Sequence, residues 1–385
     1  MLNILEKEVK SYFNKIILIF ILALVPIFPN PIKSALILFM VYISISVLSL
    51  LIWSKRLDFY GINNIIISFI CLIVYFIILS YIYKANISSL AKIIQLICCF
   101  ILFMTGYSFC VSKNDVTLVK TLIHILSIVF IIDTYLNSPT QNFIFGFNGN
   151  AIGMYFMCLI FIYVLLIDKM KYFNYIMILL MVLIVYFSNS RSALLSIMIV
   201  FSIFFISKTK LECICFSKLA FFTIIFFVFC FSVIYPVLYF TDFGINLNKI
   251  FVEYTNKTFF SGRQIIWANI LSEISDKFWI GYGLDKSPSD IFSTSLSSHN
   301  LYFQIVLQSG IIGLFLLLFI IFLIFNKITL NKSYYKSKII ILFLYAMLIQ
   351  QTFEVALTQN HLSFGLIMWF ILGLGCNVYF LKTKI

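Results

Sequence analysis

The chain has 385 residues, of which 63% are hydrophobic and 11% charged, and its mean hydropathy is +1.09. Globular domains carry about 25% charged residues, so a water-soluble fold is excluded. A lipid-spanning helix needs roughly 20 apolar residues, and the apolar content suffices for about a dozen of them.

In chain order, apolar runs separated by polar breaks predict spans at about 16–29, 34–53, 62–83, 93–112, 118–133, 151–167, 174–190, 192–207, 217–240, 301–325, 338–353 and 361–381. This predicts an all-α polytopic membrane protein of about twelve transmembrane helices, a single membrane domain over 1–385. The first run carries Pro26 and Pro29 and is expected to kink or stop there. Lys7, Lys10 and Lys15 precede it, but no small-residue cleavage site follows, so it reads as a retained span. One long polar segment, about 241–300, separates the ninth and tenth spans. Within it, Ser261 is placed to cap a helix near 262–278 that carries Ile266, Trp267, Ile270, Leu271, Ile274 and Phe278 on one face. A turn-rich stretch, Gly281-Tyr-Gly-Leu-Asp-Lys-Ser-Pro288, follows. Ser297 or Ser298 is then expected to cap the tenth span, with His299 in its first turn.

The net charge of +13 is a topology signal. With the N-terminus in the cytoplasm, 18 of the 27 basic residues and six of the 14 acids fall on the inner side, which gathers +12 of the net charge there. Both termini are then cytoplasmic, the 241–300 loop faces outward, and no nucleic acid is needed to explain the charge. The nine cysteines have no zinc spacing and no disulfide framework. No G-x-x-x-x-G-K-[ST] phosphate loop, His-x-x-x-His pair or G-x-S-x-G elbow is present, so neither a metal nor another cofactor is expected.

Arginine is scarce: 24 Lys stand against Arg56, Arg191 and Arg263, and the last two fall on the outer face. Guanidinium groups bind phosphate oxygens bidentately, which a lysine cannot reproduce. Arg191, in the Ser188-Asn-Ser-Arg-Ser192 hairpin, and Arg263, in Ser261-Gly-Arg, therefore read either as clamps on a phosphorylated ligand or as interfacial anchors. His299, in Ser297-Ser-His-Asn-Leu301, reads either as a base for a hydroxyl nucleophile or as part of a helix cap. His124, inside an apolar run, reads as a packed helix residue. Glu354 and His361 fall near the outer mouth.

Several of these pieces together resemble the bacterial O-antigen ligase and polymerase family, the Wzy-type polysaccharide polymerases and their lipopolysaccharide-ligase relatives. The matching pieces are Ser190-Arg-Ser-Ala193, Ser261-Gly-Arg-x-x-x-Trp267, Trp279-Ile-Gly-Tyr-Gly283, Ser298-His-Asn-Leu301 and Gln308-Ser-Gly-Ile-Ile-Gly313, in that order, within a family-like core at about 185–315. The resemblance implies glycosyl transfer on the outer face of a bacterial plasma (inner) membrane. The donor is an undecaprenyl-diphosphate-linked oligosaccharide, and the acceptor is a sugar hydroxyl on a second lipid-linked repeat or on lipid A core. By the same resemblance Arg191 and Arg263 hold the donor diphosphate and His299 is the catalytic base or orienting group. Glu354, His361 and Asn300 are candidate acceptor contacts without a family motif behind them. The expected surroundings are membrane lipid, with a chain-length regulator and a flippase as candidate partners. A polymerase of O-antigen or capsule repeats is the favoured expectation, an O-antigen ligase the alternative, and a lipid-linked oligosaccharide flippase the reading from a different class.

Overall fold

The computed structural model describes residues 30–53, 61–84, 86–109, 111–138, 143, 148–167, 170–255, 258–260, 262–292 and 297–382. No strand occurs among them. The predicted first span, 16–29, and the predicted cap at Ser261 lie outside the described residues. Every later predicted span falls on helix, the last one (361–381) on two helices split at Asn377: α1 (Asn30–Trp53), α2 (Asn63–Ile82), α3 (Ile87–Ser108), α4 (Lys113–Asn137), α5 (Gly149–Leu165), α6 (Tyr172–Phe187), α7 (Arg191–Ile206), and, after the short α8 (Glu212–Cys215), α9 (Lys218–Tyr239). The outer segment forms α10 (Asp242–Thr255), α11 (Arg263–Ile274) and the one-turn α12 (Pro288–Ile291). The chain closes with α13 (Leu301–Thr329), α14 (Tyr335–Gln350), α15 (Leu362–Cys376) and α16 (Val378–Lys382). Five of these are long and apolar enough to cross a bilayer, with further apolar helices of 10–17 residues beside them.

The helices alternate in direction as a membrane bundle requires. On α2 and α13, Tyr75 donates to the Ser309 carbonyl at 2.8 Å, while Gly61 at the start of α2 meets Lys327 near the end of α13, so the two run antiparallel. α3 and α15 run parallel, since Phe103 lies beside Gly373 and the Phe109 carbonyl accepts from Asn377 at 2.9 Å just beyond α15. Gly106 and Gly373 let these two backbones touch: a Cβ on either would strike a carbonyl of the other helix. Trp369 fills the seam, its ring 5.0 Å from Phe69 and 6.4 Å from Phe103 in edge contacts.

α13 is broken where the outer loop enters it. Gly310 has φ 64° and ψ −172°, a conformation open essentially to glycine alone. The Leu307 and Gln308 carbonyls released by the break accept from Tyr282 N–H at 2.8 Å and Gly283 N–H at 3.1 Å, and Ile311 N–H donates to the Phe278 carbonyl at 2.9 Å. Irregular backbone at membrane depth survives only where such partners exist. Two sequence motifs, Trp279-Ile-Gly-Tyr-Gly283 and Gln308-Ser-Gly-Ile-Ile-Gly313, are therefore the two halves of one joint.

The outer segment differs from expectation in three places. α10 was not resolved as a separate element by the pattern, although short helices in the loop were expected. It exposes Phe243, Ile250 and Tyr254 on one face and Asp242, Asn246, Lys249 and Glu253 on the other. α11 starts after Gly262, its N-cap in the left-handed conformation, and buries Ile266, Trp267 and Ile270. Phe278 lies beyond α11 and is exposed, because the chain has already turned toward the break in α13.

Candidate functional site

The N-termini of α5, α7, α11, α13 and α15 and the C-terminus of α14 meet at one end of the bundle. The ten residues after α14 form a largely buried loop. A buried loop must satisfy its own backbone, and Gln351 does so by accepting from Ala356 N–H at 3.0 Å and Leu357 N–H at 2.9 Å. The Leu357 carbonyl in turn accepts from the Trp369 indole at 2.9 Å. This closed loop presents Glu354, whose side chain is only 3% exposed.

Glu354 is the hub of the site. Its Oε1 accepts from Arg263 Nη2 at 3.2 Å and from Asn150 Nδ2 at 3.0 Å, and its Oε2 lies 3.3 Å from His299 Nδ1. Burial opposes ionisation of this carboxyl. The hydrogen bond from His299 and the electrostatic pull of Arg263, His299 and His361 outweigh burial and hold the carboxyl below its ordinary value. Arg263 is 16% exposed and His299 33% exposed, so both open outward from a buried anionic anchor.

Local structure fixes the geometry of both partners. Arg263 is the first residue of α11, and Trp267 lies one turn on along the same face. The Trp267 indole donates to the Ser298 carbonyl at 2.7 Å, which locks α11 to the residue before His299. His299 has φ 44°, uncommon for a residue other than glycine. Its neighbours impose that turn: Ser298 Oγ donates to Gln304 Oε1 at 2.8 Å, and Leu301 N–H donates to the Gln351 carbonyl at 2.9 Å. With Nδ1 directed at the carboxylate, Nε2 is the ring nitrogen left for another partner.

Two expectations about the start of α13 are corrected. Its N-cap is Asn300, not Ser297 or Ser298; Asn300 Oδ1 accepts from Phe303 N–H at 3.1 Å, and His299 lies just before the helix. The Asn300 side chain is fully buried and also donates to Ser232 at 3.1 Å, so it is committed to capping and presents nothing to an acceptor. The cap moves because serine and asparagine cap equally well, and only the tertiary partner at Ser232 decides between them.

Arg191 is the first residue of α7 and shares this end of the bundle, since Ser192 Oγ accepts from Gln350 Nε2 at 3.2 Å. Its guanidinium does not reach Glu354. Nη1 donates to the Thr258 carbonyl at 3.0 Å, on the chain leading into α11. The two arginines and the histidine are thus not one contact cluster: Arg263 and His299 share a carboxylate, and Arg191 secures the loop beside them. His361 is the N-cap of α15, near enough to act on the Glu354 charge. His124 lies away from the site, 3.1 Å from the Tyr163 hydroxyl, as its apolar surroundings suggested.

Asn150 escaped the sequence reading altogether. It contacts a residue 204 positions away, and no local pattern marks it. Among the described residues no group of three or more His, Cys, Asp or Glu side chains is placed to hold a metal ion. Arginine forks at two helix N-termini, where backbone dipoles already favour anions, lie beside an imidazole oriented by a carboxylate. Chemically, the arrangement can hold a polyanion and accept a proton from a hydroxyl.

Residues 176–320 match the family model described as O-Antigen ligase. The match spans α6 through most of α13 and includes Arg191, Arg263 and His299, whereas Asn150, Glu354 and His361 lie outside it. No curated protein matches the chain. Residues 176–320 of this membrane protein are thus similar to the O-antigen ligase family, the stretch that also holds the ordered motifs with Arg191, Arg263 and His299.

Proposed function

We propose that the protein polymerises polysaccharide repeats at the outer face of a bacterial inner membrane, with both its termini in the cytoplasm. In this reading the donor glycan is carried on undecaprenyl diphosphate. A sugar hydroxyl of a second lipid-linked repeat attacks the anomeric carbon, the bond from that carbon to the diphosphate oxygen breaks, and the hydroxyl proton passes to His299 Nε2. The polyprenyl diphosphate departs as an anion. Arg263, with Arg191 beside it, offsets the charge developing on it. Glu354 holds the His299 ring in register and stabilises the imidazolium formed, as a carboxylate does behind a catalytic histidine. A diphosphate leaves without needing protonation, so neither nucleotide nor metal is required.

The observation that carries this reading is the continuous chain Arg263–Glu354–His299, in which one buried carboxylate fixes an anion-binding group and a base at 3.2 and 3.3 Å. The family description favours a second reading, ligation of the glycan to lipid A core. Reconstitution of the purified chain with a synthetic lipid-diphosphate repeat, without nucleotide or divalent metal, tests both. A ladder of longer lipid-linked products supports polymerisation. Transfer only after lipid A core is added supports ligation. No covalent product under either condition overturns the enzymatic reading and leaves the flippase.

A further inference from the structure

At the opposite end of the bundle a cavity of about 90 Å³ opens between the ends of α3, α5 and α15 and the start of α4. Along α5 it extends from Leu166 to Leu159, about 10 Å of helix rise. Its walls are almost wholly apolar, with Phe109, Val119, Ile162, Ile367 and Phe380 among them. One acid lines it. Asp115 is 2% exposed; its Oδ2 accepts from Ser112 N–H at 2.8 Å in a capping box, while its Oδ1 is buried without a hydrogen-bond partner among the described residues. No cation among the described residues lies within ion-pair distance of it. An unpaired carboxylate oxygen at an apolar cavity is costly unless something supplies a donor.

We propose that this cavity is a site for a phospholipid carrying a primary ammonium headgroup. The ammonium donates to Asp115 Oδ1, and the upper acyl methylenes fill the apolar part. Lys113, exposed in the same first turn of α4, has the charge to meet the lipid phosphate, so the mouth is complementary to a zwitterion. The volume fits such an insertion: it is smaller than the roughly 150 Å³ cavity that takes up benzene, enough for a short run of methylenes. The occupant comes from the bilayer that surrounds the bundle. α5 and α15 also carry Asn150 and His361 at their other ends, so lipid bound here braces two helices that frame the candidate site.

The test uses the purified full chain and three lipids of identical acyl composition, with phosphoethanolamine, phosphocholine or phosphoglycerol headgroups. Choline keeps the charge but has no N–H to donate, which isolates the hydrogen bond. One charge-assisted hydrogen bond corresponds to about tenfold preference for the ethanolamine lipid in native mass spectrometry, with a matching rise in unfolding temperature. Asp115→Asn keeps an acceptor for the Ser112 cap and should abolish the preference. Ile162→Phe, which fills the cavity, should abolish binding of all three. Equal retention of the three lipids by the wild-type chain overturns the proposal without recourse to any variant, and so does an unchanged preference in Asp115→Asn.

Discussion

At the scale of the residue, Glu354 changes what the obvious mutations mean. Replacing Arg263 by alanine removes one partner of a buried carboxylate, and breaking a buried pair in this way costs about 3–5 kcal/mol. Arg263→Ala should therefore lower the amount of folded protein as well as activity. Arg263→Lys keeps a positive charge for Glu354 but loses the planar fork, so protein level should hold while transfer falls about 10²-fold; membrane immunoblots and product ladders measure the two separately. His299→Ala leaves Arg263 and Asn150 on the carboxylate, so its loss of about 10²–10⁴-fold should be catalytic with little change in abundance. The acid limb of stability also belongs to Glu354. Its carboxyl lies below the ordinary glutamate value of 4.5, so its contribution is complete above that value and is lost as pH falls through the depressed folded one. Unfolding midpoints measured across that range should show a step that Glu354→Gln removes.

At the scale of the element, the broken α13 and the interfacial α10 carry the consequences. Gly310 holds a backbone conformation that costs other residues about 1–3 kcal/mol, and a Cβ there would strike the Trp279 carbonyl. Gly310→Ala should expel the 278–283 segment from the break, lowering thermal stability and exposing the loop to protease, even though it touches none of the candidate site residues. α10 follows directly on α9 and displays Phe243, Ile250 and Tyr254 to its surroundings. An amphipathic helix of this kind rests in the headgroup region with its apolar face in lipid. Phe243→Trp fluorescence, taken as the difference from the wild-type chain, should be quenched by lipids brominated high on the acyl chain and less by those brominated near the bilayer centre. Quenching absent at every depth would place α10 in water.

At the scale of the molecule, the bundle places the Glu354 cluster and the apolar cavity at opposite ends of the same helices. Asn150 and Leu165 lie at opposite ends of α5, about 22 Å apart by helix rise; one bonds to the Glu354 cluster and the other lines the apolar cavity. The family match covers the middle of this arrangement, 176–320, while the acid that joins Arg263 to His299 comes from beyond it. The candidate site therefore draws on α5 and on the loop between α14 and α15 as well as on the matched stretch, and a fragment restricted to 176–320 would lack both Asn150 and Glu354.

The sequence by itself determined the spans, their alternation, the position of the long polar segment and the ordered motifs containing Arg191, Arg263 and His299. Those signals are local: hydrophobic runs, charge asymmetry and short spacings are readable within a window of a few tens of residues. Only the tertiary structure decided that Glu354 is the shared anchor, that Asn150 belongs to it, that Asn300 is a cap, and that Arg191 holds Thr258 instead of joining the cluster. The physical reason is sequence separation. Glu354 meets partners 55, 91 and 204 residues away, and which buried donor finds which buried acceptor is set by how helices pack, a choice no local pattern encodes.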